Sequence, residues 1–125
     1  MKNDEFKKLI SYNIKDKLHY VSNTIVIEHI SYAETNDIIV LALDYGKIYK
    51  PEPTPFSTFI QVIEGSAEVL VDEVFTNLQN GDSMIIPGNT ASTIEAHQRF
   101  KMLSIILKKL LRMIPRILIS RLTWL

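Results

Sequence analysis

Few side chains in this sequence have both the type and the setting for chemistry. None of the 125 residues is cysteine, which excludes a thiolate nucleophile, a thiolate metal site and a disulfide framework. The three histidines are scattered. His19 lies in a polar stretch near the N-terminus, His29 sits in an apolar run that reads as a strand, and His97 precedes Gln98-Arg99 in a turn. An imidazole titrates near neutrality and binds metals, yet a metal site needs several donors converging on one point. No serine occupies a Gly-x-Ser-x-Gly elbow, and no glycine-rich loop is suited to cradle phosphate. What remains is carboxylates, hydroxyls and a few aromatics.

Charge narrows the partners. Hydrophobic residues make up 46% and charged residues 22%, an ordinary balance for a chain that folds around a core. The net charge is zero, but the distribution is uneven. All fourteen acids lie between Asp4 and Glu95, whereas Lys108, Lys109, Arg112, Arg116 and Arg121 face no acid after Glu95. Residues 1–107 therefore carry nine basic residues against fourteen acids, a net of −5, and a basic tail cancels them. An acidic body without basic residues interleaved with aromatics argues against nucleic acid as a partner.

The elements that must position any site read as strands. Asp4–Ser11 has helical spacing (Phe6, Leu9, Ile10) behind two acids, which predicts one short N-terminal helix. Thereafter the apolar period is two. Thr24–Ser31, Asp37–Asp44, Thr58–Glu64, Ser66–Val71, Val74–Leu78, Ser83–Ile86, Ala91–Ala96 and Phe100–Leu107 read as about eight strands. Turns are expected at Asn36-Asp37, Tyr45-Gly46, Asp72-Glu73, Asn80-Gly81-Asp82 and Pro87-Gly88-Asn89. Pro51, Pro53 and Pro55 forbid regular pairing from Lys50 to Phe56. Short strands at such spacing predict an all-β sandwich or barrel.

Two motifs make the pattern more specific. Val62-Ile63-Glu64-Gly65-Ser66-Ala67-Glu68-Val69 reads as a hairpin with Gly65 at its turn, and Asn80-Gly81-Asp82-Ser83-Met84-Ile85-Ile86-Pro87 follows. Together with Gly46 and the ending Glu95 to Leu103, these stretches resemble the cupin superfamily, in its small single-domain, conserved-barrel form, over residues 20–108. The resemblance implies a double-stranded β-helix, or jelly-roll barrel, as one domain over residues 1–108 with 109–125 added. It also implies where to look for a metal. The usual three histidines and one glutamate fall near Glu52, Thr54, Thr58 and Ser92, none of which is histidine. One carboxylate with hydroxyls is a poor site for Fe, Mn or Zn, so no metal and no other cofactor is expected.

The same resemblance implies where the ligand-binding residues lie. Glu52 is the best single catalytic candidate, as a general base or a hydrogen-bond acceptor at the barrel mouth, or else a solvated residue of a proline-rich loop. Thr54, Thr58, Gln61, Thr90 and Ser92 are the expected polar contacts, with Tyr49, Phe56 and Phe59 as aromatic lining or core filling. His29 facing inward would complete a two-residue remnant with Glu52.

Lys108–Leu125 gathers Lys108, Lys109, Arg112 and Arg116 on one helical face and apolar residues on the other, although Pro115 interrupts it. Packing on the body or a second subunit, contact with a membrane surface, and an incidental extension are open readings of it. No stretch reads as a transmembrane helix, and Met1–Ile10 has no apolar run. A cytoplasmic location is therefore expected, and the resemblance implies a homodimer. Three functions fit. A metal-free barrel that binds a small polar metabolite as a sensor or accessory module ranks first. A metal-independent isomerase or epimerase of a sugar or keto acid ranks second, and a closed interaction module third.

Overall fold

The structure is a computed structural model, and it describes residues 6–108. The tail after Lys108, with its expected amphipathic pattern, lies outside the described residues. Strands dominate: β1 Ile25–Tyr32, β2 Asn36–Leu43, β3 Ile48–Tyr49, β4 Thr58–Glu64, β5 Ala67–Val71, β6 Val74–Leu78, β7 Ser83–Ile86, β8 Ser92–Ala96 and β9 Phe100–Leu107. One sheet has the order β1-β2-β9-β4-β7 and the other β3-β8-β5-β6, and every pairing is antiparallel. From β4 onward the chain passes repeatedly from one sheet to the other, so the two sheets wind into a jelly-roll barrel. The all-β expectation holds, with β3 as a ninth, two-residue strand that pairs with β8.

Alternation builds the core. On the inner faces, Leu41, Leu43, Ile60, Val62, Ala67, Val69, Ile94, Ala96, Phe100 and Met102 are buried together. Intervening residues such as Phe59, Ile85 and Glu95 face outward and are exposed. Outside the larger sheet, Phe6 and Leu18 cover Val40 and Ala42 as a second apolar layer, joined by Tyr12, Ile14 and Tyr20. Polar groups pin this N-terminal segment down. Tyr20 donates to Glu64 at 2.8 Å, Lys101 Nζ lies 3.6 Å from the same carboxylate, and Lys101 donates to the Lys15 carbonyl at 2.5 Å. Burial and the Glu64 carboxylate both push the Tyr20 pKa far up, so the phenol keeps its proton.

Three local expectations change. The helix is not at Asp4–Ser11: none of residues 6–11 is α-helical, and Leu9 has φ +64° with its side chain in solvent. A single turn at Ile14–Lys17 forms instead, where the Asn13 side chain caps the Lys15 amide at 3.0 Å. Asn36 and Asp37 are strand residues, and the chain reverses at 33–35, closed by the bond from the Ala33 amide to the Asn36 carbonyl. Gly65 is not a hairpin turn, because β4 and β5 belong to different sheets. It is the corner between them, at φ +89°, and a Cβ there would lie 2.0 Å from the Arg99 carbonyl oxygen. The true hairpin is β5–β6, whose Asp72-Glu73 turn has both φ values positive, as a two-residue type I′ turn requires.

Candidate functional site

The proline-rich segment forms one side of the barrel mouth. Pro51, Pro53 and Pro55 keep residues 50–57 out of both ladders, and the Thr54 hydroxyl accepts from the Phe56 amide at 2.9 Å to shape the bend. The loop after β7 forms the other side. Asn89, at φ +58°, donates its amide to the Thr54 carbonyl at 2.6 Å, and Thr90 Oγ1 donates to the Gly88 carbonyl at 3.1 Å. Gly88 is needed for the contact, since a Cβ there would sit 2.5 Å from the Pro55 carbonyl oxygen.

Beneath these loops lies a cavity of ≈ 60 Å³. Apolar walls come from Ile39, Ile60, Ile86, Ile94, Met102 and Ile106. Glu52, Thr54, Thr58, Thr90, Ser92 and Ser104 bring the polar groups, with Tyr49 and Phe56 at the side. Ser92 and Ser104 are buried and Thr58 is half-buried. Their hydroxyls enter none of the hydrogen bonds among the described residues, so each is left to whatever occupies the cavity. Burial pushes the Tyr49 pKa up, which keeps its phenol neutral. Glu52 is exposed at the rim.

Most candidate residues therefore meet, and two do not. Glu52, Thr54, Thr58, Ser92 and Tyr49 all line the cavity. Gln61 and Phe59 do not, because Thr58 and Ile60 face inward and a strand turns each next side chain to the other face. Gln61 lies instead under the N-terminal segment beside Tyr12 and Ile14, and Phe59 is exposed outside. His29 is not a partner for Glu52: it lies opposite Ile39 on edge strand β1, exposed, with its ring 6.0 Å from that of Tyr32. Ser104 was not among the sequence candidates. Its signal was present, since Met102, Ser104 and Ile106 share one parity, with the serine as the polar break.

The donor set tests the cupin metal directly. One exposed carboxylate with serine and threonine hydroxyls does not fit Fe, Mn, Ni or Zn, which need imidazole or several carboxylates at close range. Metal-type donors do gather elsewhere. Glu68 and Glu95, paired across β5 and β8, join His97 on the outside of the smaller sheet, with donor atoms within 4.8 Å of one another. That places His97, expected only in a turn, 3.9 Å from Glu68.

Known structures share this architecture. A cupin superfamily protein from Desulfitobacterium hafniense superposes with a TM-score of 0.77 at 18% identity, over 82% of this chain and 94% of that one. The chain has the cupin fold. A cupin 2 conserved barrel domain protein from Leptotrichia buccalis matches at a TM-score of 0.74 and 23% identity, over 78% of this chain and 47% of that longer one. A conserved protein of unknown function from Streptococcus pyogenes matches at 0.76 and 16% identity, over 82% and 90%. No family model and no curated protein matches the sequence. At these identities the cupin likeness is one of fold. No described helix is long and apolar enough to cross a membrane.

Proposed function

We propose that this cupin barrel binds a small polar molecule at its open end without a metal, as a sensor or accessory module rather than as a catalyst. The observation that carries this reading is the convergence of Thr58, Ser92 and Ser104, unpaired, in a cavity rimmed by Glu52. A ligand that pairs these hydroxyls and covers the isoleucine walls gains both hydrogen bonds and apolar contact. Screening small metabolites by thermal shift tests it. A ligand at about a hundred times its Kd adds about 2.7 kcal/mol of stability, and the shift should vanish in Thr58→Val. Stoichiometric Fe, Mn, Ni or Zn seated in the barrel of the purified protein overturns it.

The alternative, a metal-independent isomerase or epimerase, needs an acid and a base across the cavity. Glu52 and Tyr49 supply one carboxylate and one neutral phenol there, and His29 lies outside. Proton exchange between substrate and solvent that is lost in Glu52→Gln would favour it over the binding module.

A homodimer is part of the same proposal. Its support is an apolar row outside the larger sheet, in which Ile85, Phe59, Ile105 and Ile38 lie side by side in register across β7, β4, β9 and β2. Ile85 is 63% exposed. Light scattering should give a dimer, and Phe59→Glu should give a monomer.

A further inference from the structure

The charge of the cavity restricts its ligand further than its size does. Among the described residues that line it, Glu52 is the only charged one, and every other polar side chain is a hydroxyl. No ion pair among the described residues includes Glu52. Neighbouring Lys50 is exposed and does not line the cavity. An anion entering here would lose hydration beside a carboxylate, with no lysine, arginine or histidine to receive it. A neutral polyol would pair with the hydroxyls and leave the carboxylate's charge unbalanced. A cation that also carries a hydroxyl does both, and Tyr49 and Phe56 add aromatic surface to the same lining.

We propose that the cavity takes a small hydroxylated amine, with its ammonium at Glu52 and its hydroxyl among Thr58, Ser92 and Ser104. This rests on the reading of the cavity as a small-molecule site and adds the chemical class. The volume agrees: ≈ 60 Å³ holds about four to six water-sized groups, at about 10–15 Å³ each, the size of ethanolamine. The depth agrees as well. Ser92 and Ser104 are buried while Glu52 is exposed at the rim, so the hydroxyl end enters first and the charged end stays near water. Because Glu52 is exposed, the expected preference for the cation is modest, about fivefold to tenfold at low salt, and it shrinks as salt screens the pair.

The test uses the full chain, isotope-labelled, titrated at neutral pH with three matched probes: ethanolamine, ethylene glycol and glycolate. The expected result is perturbation of the Thr58, Ser92 and Ser104 amides, with ethanolamine bound tightest and glycolate weakest. In Glu52→Gln, ethanolamine should bind no more tightly than ethylene glycol does to the same variant. Glycolate binding as tightly as ethanolamine overturns the inference, and so does a preference for ethanolamine that survives Glu52→Gln. Equal binding of ethanolamine and ethylene glycol in the unmodified chain overturns the amine and leaves the small-molecule site standing. If none of the three perturbs the cavity residues, the small-molecule reading falls with it.

Discussion

The two ends of this barrel are built from the same strands and filled differently. At the closed end, Phe100 and Leu43, paired in the larger sheet, share one core with Ala67 and Ala96, paired in the smaller one, and all four are 1% exposed or less. At the open end β9 and β8 carry Ser104 and Ser92 instead, β4 adds Thr58, and a cavity remains. The step is short: Met102 and Ser104 are neighbours of equal parity on β9, as are Ile94 and Ser92 on β8. Apolar volume holds the fold at one end, and hydroxyls at the other leave room for a partner. On the proposed function, stability and binding are separated along the barrel axis.

Mutations at the two ends should break this contrast if it is wrong. The largest effect is expected from Phe100→Ala, which empties the closed end and should cost about 3–5 kcal/mol in denaturant unfolding. A cost below about 1 kcal/mol would mean that the closed end does not carry the fold. Gly65→Ala comes next, at about 2–3 kcal/mol, because it combines a left-handed backbone with a collision against the Arg99 carbonyl between two sheet crossings. Gly88→Ala also drives a Cβ into backbone, at the Pro55 carbonyl of the mouth loop, but without a left-handed φ, so about 1–2 kcal/mol is expected. Its main readout should be altered ligand binding.

Ser104→Val sharpens the contrast from the other side. It replaces an unpaired hydroxyl with apolar volume, so stability should change by less than about 1 kcal/mol, or rise. The thermal shift given by a polar ligand should fall. The smallest effect concerns Asp44, near the closed end. Hydrogen bonds from the Asn23 amide, then the Arg99 side chain and the Tyr45 amide, hold its pKa below the usual carboxylate value. A depressed folded-state pKa stabilises the protein above the unfolded value, and that stabilisation is lost as the pH falls through the folded one. Stability should therefore decline in acid, and Asp44→Asn should decline less steeply.

Much of the fold was legible because its signals are local. The eight expected strands lie within a residue or two of those in the structure, since period-two alternation, Pro51-Pro53-Pro55 and Asp72-Glu73 act over a few neighbours. The short helix was misplaced because Phe6 is claimed by the outer apolar layer while Asn13 offers a cap further on. The site was legible in part. Glu52, Thr54, Thr58 and Ser92 followed from the motif spacing, whereas Phe59 and Gln61 were assigned without regard to the parity that Thr58 imposes.

The sequence by itself determined the strand pattern, the mouth prolines, the want of imidazoles around Glu52 and the unequal charge of body and tail. Only the tertiary structure decided that Gly65 is a corner rather than a hairpin, that Ser104 joins the cavity, and that His97 meets Glu68 and Glu95. The reason is physical. Alternation says that successive side chains part to opposite faces, but not which face is inside, and a one-residue shift exchanges them all. That choice is made where distant strands meet: β9 lies between β2 and β4, and β8 beside β5.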